Sequence, residues 1–151
     1  MRDTIIQILI HSIGAFGGTL GYAILLNAPV RTILPASLIG LLGYMLYEVM
    51  VNLLGQGMIF SYFFSTVIIS LLCEIEARVM RMPSTIFLLT ALVPLVPGYT
   101  FYCAMLALVE DNGRVAASCG LEAVQIVAAI AVGAAITSVV FRALTVQKKH
   151  N

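Results

Sequence analysis

Charge is what this sequence has least of. Only 10% of its 151 residues are Asp, Glu, Lys or Arg, while 61% are hydrophobic. An ordinary soluble domain carries about 25% charged residues. The mean hydropathy is +1.05. A soluble domain of this length must cover its surface with polar groups, and this chain has too few, so the composition predicts an integral membrane protein with no room for a separate soluble domain. An excess of basic residues is also missing. The formal net charge of +1 argues against a nucleic-acid partner, which needs a basic patch or stripe. Cysteine is scarce: Cys73, Cys103 and Cys119 form no CxxC pair, and the histidines do not cluster. No metal site and no cofactor is therefore expected, and the thiols read as small apolar packing residues. There is no GxSxG, no HExxH and no pair of aspartates in facing spans. That leaves no catalytic residue to name and argues against an enzyme.

What the sequence does have is long apolar runs. A helix needs about 20 apolar residues to cross roughly 30 Å of hydrocarbon. Five runs qualify, at 4–26, 33–54, 58–80, 85–109 and 121–144. The first is too long for the apolar core of a signal peptide and is read as a retained helix. Turn chemistry separates the runs: Asn27-Ala28-Pro29, Gly55-Gln56-Gly57, Arg81-Met82-Pro83-Ser84 and Glu110-Asp111-Asn112-Gly113. Ser84 is the expected N-cap of the fourth run. Residues 147–151 form a polar, frayed tail. Five spans place the termini on opposite sides. One side then collects Arg31, Arg78, Arg81, Arg142, Lys148 and Lys149, and the other only Arg2 and Arg114. By the positive-inside rule the C-terminus is cytoplasmic and the N-terminus outside.

Helices in lipid associate by close packing rather than by hydrophobic exclusion. Gly14/Gly18 and Gly17/Gly21 are small-xxx-small pairs; Gly40, Gly43, Ala128, Ala131, Gly133, Ala134 and Ala135 add further small-residue surface. These predict helix packing within this chain, against another chain, or in a homo-oligomer.

The fourth run is the most informative. Pro94 and Pro97 lie three apart at its centre and are followed by Gly98. Each proline lacks an N–H and clashes with the carbonyl one turn back, and Gly98 offers positive φ. The spacing predicts two half-helices, about 85–93 and 99–109. Non-helical backbone at membrane depth is tolerated only where it is buried in protein or lines a cavity. The second half-helix would aim free amides and a positive dipole end at the membrane interior, an arrangement that suits a carboxylate. The candidate substrate-binding residues are Pro94, Pro97, Gly98, Tyr99 and Tyr102.

Ionisable residues inside spans point to function by default. His11 and Glu48 sit at similar depth from the same end, where they could meet as a proton-sensitive pair. Glu74, with Glu76 and Arg78, lies towards the other end of the third run, and Glu74 and Arg78 are i,i+4. His11, Glu48 and Glu74 are the candidates for proton or ion coupling.

Val93-Pro94-Leu95-Val96-Pro97-Gly98, with Tyr99-Thr100-Phe101-Tyr102 after it, resembles the signature of the threonine/serine exporter family, in its small-subunit or C-terminal-half form. Leu25-Leu26-Asn27-Ala28-Pro29-Val30-Arg31 resembles that family's first loop. Ala77-Arg78 and Met82-Pro83 resemble the approach to its broken helix, and Gly133 falls in a helix that the family shares. The likeness covers roughly residues 10–140. It implies an all-α, five-span protein of the bacterial plasma membrane. It also implies export of small carboxylate metabolites, threonine and serine or, in a two-subunit branch, succinate. In that branch the small chain works with a larger membrane subunit, and export is driven by an ion or proton gradient. The opposing expectation is an assembly subunit that holds a larger partner and transports nothing itself.

Overall fold

A computed structural model describes the backbone of residues 2–150 and the side chains of residues 4–141 and 143. Helix α1 spans Arg2–Leu25, α2 Val30–Asn52, α3 Met58–Met80 and α4 Ser84–Ala91. A 3-10 turn follows at Val93–Leu95, then α5 at Gly98–Val109 and α6 at Gly113–His150. Helices α1, α2 and α3, and the Gly113–Phe141 part of α6, are each long and apolar enough to cross a membrane. Residues Ser84–Leu95 and Gly98–Val109 make up a further span, bent by 54°. The chain is thus an all-α membrane protein whose fourth span is broken at the PxxPG motif.

Helices and apolar runs differ at their ends. Helix α2 begins at Val30 and α6 at Gly113, ahead of runs counted from 33 and 121. Apolar counting finds the hydrocarbon-embedded part, while the helix continues into polar residues such as Arg31 and Arg114. Ser84 is the first helical residue of α4 rather than its cap: Pro83 holds the cap position and no side chain bonds there. The α6 backbone remains helical through residues 147–150. The side chains of Arg2, Arg142, Lys148 and Lys149 lie outside the described residues.

Three helix ends are closed the same way. Asn27, Arg81 and Asp111 take left-handed φ of 51°, 54° and 57°. The next residue's amide then reaches back five positions: Ala28 to Ala23 O at 3.0 Å, Met82 to Ala77 O at 2.9 Å, Asn112 to Ala107 O at 2.8 Å. This is the Schellman closure, which satisfies carbonyls that the last turn would leave orphaned. Asn and Asp tolerate that conformation through their short polar side chains. The second loop uses Gly55 at φ 62° instead.

Packing runs α1 on α2, α2 on α3, α3 on α6 and α5 on α6, with α4 lodged against α2 and α3. The core is centred on Ala36, Ile39, Ile69, Cys73, Phe87, Ala91 and Leu95. Cys73 is a buried packing residue, as expected. Glycine sets the close crossings, at three positions. A Cβ on Gly43 would overlap Ile69 Cδ1; on Gly40 it would stand 2.6 Å from Thr19 Oγ1 and 3.3 Å from Ala91 O; on Gly133, 3.0 Å from Phe63 O. Helix α1 buries Ile8, Ser12, Thr19 and Ala23 instead of its glycines. A methyl added at Gly14, Gly17, Gly18 or Gly21 would meet nothing within 4 Å. None of these glycines makes a close helix crossing within this chain, and Gly14 and Gly18 border an open space beside His11 and Pro94. Some buried hydroxyls on the spans bond the carbonyl one turn back, as in Thr19 to Ala15 O and Ser37 to Ile33 O, both 2.8 Å, which lowers the penalty of polar groups in an apolar setting; Ser12, Ser65, Thr66 and Ser70 have no hydrogen-bond partner among the described residues.

Candidate functional site

The break is built by proline chemistry. Pro94 and Pro97 can donate no helical bond, so the α-ladder stops at α4. The amides of Leu95 and Val96 bond only three residues back, to Leu92 O at 2.9 Å and Val93 O at 3.2 Å. Pro97 has φ −75° and ψ 58° and is the N-cap of α5. The Gly98 amide bonds Val96 O across it at 2.7 Å, an inverse γ-turn. Regular helix resumes when the Phe101 amide reaches Pro97 O at 3.1 Å. The amides of Tyr99 and Thr100 precede that first bond and have no backbone partner among the described residues. These two are the orphan donors of the half-helix N-terminus. Gly98 does not use positive φ. It contributes space: a Cβ there meets nothing within 4 Å.

A cavity of about 440 Å³ opens at this point. The break supplies Pro94, Pro97, Gly98, Tyr99 and Thr100; α2 supplies Tyr44, Tyr47 and Glu48; α3 supplies Met58 and Tyr62. Cys103 of α5 and Cys119 and Glu122 of α6 complete it. Tyr47 and Tyr62 lie 4.3 Å apart between ring centroids and Tyr44 follows at 5.8 Å, so one wall is tyrosine. Of the sequence-derived binding residues, Pro94, Pro97, Gly98 and Tyr99 line the cavity. Tyr102 does not: it is 62% exposed on the outer face of α5.

Glu48 is the best-supported polar group in the membrane region. It is 8% exposed. The ring N–H at His11 Nδ1 faces its Oε1 at 3.2 Å, and the Tyr44 hydroxyl donates to the same oxygen at 3.1 Å. Asn52 Nδ2 donates to Oε2. His11 and Glu48 are thus brought together across α1 and α2. On the α1 side His11 lines a second cavity of about 470 Å³, and Tyr44 and Pro94 line both cavities. The His11–Glu48 bond therefore bridges the partition between the two spaces. Glu74 lies elsewhere. It is sixteen residues along α3 from Met58, about 24 Å by helix rise, and is not among the cavity-lining residues. Its expected neighbour Arg78 turns to α6, stacking 4.9 Å over the Phe141 ring and donating to Phe141 O at 3.5 Å.

Sequence reasoning missed Glu122, a lone carboxylate nine residues into α6, and the donors Tyr44 and Asn52. The donors had a signal: Tyr44, Glu48 and Asn52 recur every fourth residue on one face of α2. The approach of Tyr47 to Tyr62 joins two helices and had none.

A larger furrow of about 930 Å³ runs between the start of α3 and α6, lined by Phe60, Phe63, Ala128, Ala129 and Val132 among others. Its lining is mostly apolar but includes Glu122 and Gln125, and Met58 and Glu122 border both spaces. It takes in no residue of the break, so the smaller cavity is the better candidate site.

No curated protein and no solved structure matches the chain. The profile of the threonine/serine exporter (ThrE) family matches it over residues 11–140, which takes in the break, the His11–Glu48 pair and every cavity-lining residue. The chain is a multi-pass membrane protein of the threonine/serine exporter family.

Proposed function

We propose that the chain is one subunit of a secondary transporter that exports small carboxylate-bearing metabolites through the cavity at the break. The observation that carries this reading is the pairing of the orphan Tyr99 and Thr100 amides with a tyrosine-walled cavity at the break in the span. A half-helix N-terminus holds a carboxylate through its amides and dipole. Tyr44, Tyr47 and Tyr62 offer hydroxyls beside it. Threonine, serine and succinate all carry the required group.

Coupling falls to His11 and Glu48. A proton delivered to Glu48 removes the charge that holds the donors from α1 and α2, which loosens the seam between the two cavities. Glu74 takes no part in that step.

The chain works beside a larger membrane subunit. Support comes from Gly14, Gly17, Gly18 and Gly21 on α1, where an added methyl meets nothing within 4 Å, and from α5, whose main packing partner is α6. The N-terminus faces outside and the C-terminus the cytoplasm of a bacterial cell, on the distribution of arginine and lysine.

Gly98→Leu tests the site. A Cβ at Gly98 meets nothing within 4 Å and Gly98 lines the cavity, so the larger side chain should obstruct it: export of threonine, serine and succinate should all fall to background while membrane insertion is unchanged. Efflux at the normal rate from that variant would contradict the reading.

A further inference from the structure

The cavity holds two carboxylates in different states. Glu48 is already engaged by three donors from His11, Tyr44 and Asn52. Glu122 has no hydrogen-bond or ion-pair partner among the described residues. It is half-buried, nine residues into α6 and about 14 Å along the helix from Gly113. No lysine, arginine or histidine is among the cavity's lining residues. The nearest arginine on the same helix, Arg114, is exposed and lies two turns before Glu122, about 12 Å along the axis. An unpaired carboxylate within a helix long and apolar enough to span a membrane is costly and marks function by default. Helix α6 carries it all the same, across the cavity from a half-helix terminus that itself favours a negative group.

We infer that Glu122 is the specificity-determining residue of this cavity, holding the ammonium group of a zwitterionic substrate whose carboxylate meets the Tyr99 and Thr100 amides. This rests on the substrate-site reading above and adds a second pole to it. One wall donates to an anion and the other accepts from a cation, so a molecule that carries both groups on one carbon satisfies both. A dicarboxylate would set its second negative group among Glu48 and Glu122 with no cation to balance it. A 2-hydroxy acid would leave Glu122 with a neutral hydroxyl in place of a charged donor.

Serine and glycerate separate these cases, because glycerate is serine with a hydroxyl in place of the ammonium. Efflux is measured from cells that carry the full-length chain, wild-type or variant, in place of the native copy, with membrane levels checked by blotting. The wild type should export serine at least tenfold faster than glycerate. Glu122→Gln should raise the half-saturating serine concentration at least tenfold, leave the glycerate rate within about twofold, and so abolish the preference. Glu122→Asp keeps the charge and should retain the preference at reduced affinity, which also covers the case in which the amide variant fails to reach the membrane. Equal loss of serine and glycerate export in Glu122→Gln, unchanged serine kinetics, or a wild type that prefers glycerate or succinate to serine would each overturn the assignment. Normal export in Gly98→Leu would instead remove the site itself, so the two failures are distinct.

Discussion

Glu48 gathers one donor from α1 and two from its own helix, and that distribution sets what its removal does. Each hydrogen bond to a charged group is worth about 1.5–3 kcal/mol when buried, although interhelical bonds within membranes average nearer 0.6 kcal/mol. Glu48→Gln keeps the shape and removes the charge. It should leave insertion intact and slow gradient-driven export on the order of tenfold, with His11→Asn giving a similar loss. The double variant should be little worse than either single one, because both act through one bond. Glu74→Gln should export normally. Efflux assays across this set decide the matter, and additive losses in the double variant would break the link between His11 and Glu48. The partnership was half legible in the sequence. Equal depth placed His11 and Glu48 at one level, but helix rotation, which decides whether they touch, depends on the buried stripe Ile8, Ser12, Thr19 and Ala23. That stripe is only weakly marked because it mixes small polar with apolar residues. Glu122 escaped notice because it stands near the start of its apolar run, where a charge reads as interfacial. Helix α6 in fact begins at Gly113, nine residues earlier.

Among the elements, glycine separates crossings that are in use from those that are not. A methyl at Gly43 would fall on the Cγ1 and Cδ1 atoms of Ile69, which is fully buried and has nowhere to retreat. Gly43→Ala should therefore destabilise the bundle by about 1–3 kcal/mol, the usual range for overpacking, seen as a lower unfolding temperature in detergent. Gly40→Ala should act on two neighbours, since it presses on both Thr19 and the Ala91 carbonyl at the break. Alanine at Gly14, Gly17, Gly18 or Gly21 should leave the isolated chain's unfolding temperature unchanged and, on the proposed two-subunit assembly, weaken recovery of a larger membrane subunit on affinity purification. Sequence spacing alone could not rank these glycines. The GxxxG-type repeats on α1 are the stronger pattern, yet the close contacts belong to Gly40, Gly43 and Gly133. The break was legible, because two prolines and their missing amides dictate it locally. The γ-turn at Pro97 was not, and it leaves two orphan amides at the N-terminus of α5 by occupying the Gly98 donor.

At the scale of the whole molecule, cavity and membrane orientation come together. The lining of the cavity comes from the half of the bundle nearest the loops at 53–57 and 110–112. Glu48 is four residues from the end of α2, and Tyr62 four from the start of α3, each about 6 Å. The spans were readable from run lengths, because hydrocarbon thickness acts on composition alone. The cavity was not readable, since it depends on α5 leaning on α6 and leaving α2 and α3 uncovered. The thiols report on this arrangement. Cys103 and Cys119 line the cavity, and Cys73 is fully buried in the core. With the N-terminus outside, as proposed, a membrane-impermeant maleimide applied to intact cells should modify the first two and spare the third.

The most direct test of a substrate site at the broken span is the rate at which that maleimide alkylates Cys103, followed site by site by mass spectrometry, with and without threonine, serine or succinate. The account predicts that Cys103 reacts and that at least one of these compounds slows it several-fold, while Gly98→Leu removes the protection. A Cys103 as inert as Cys73, or one whose rate ignores all three compounds, would contradict it.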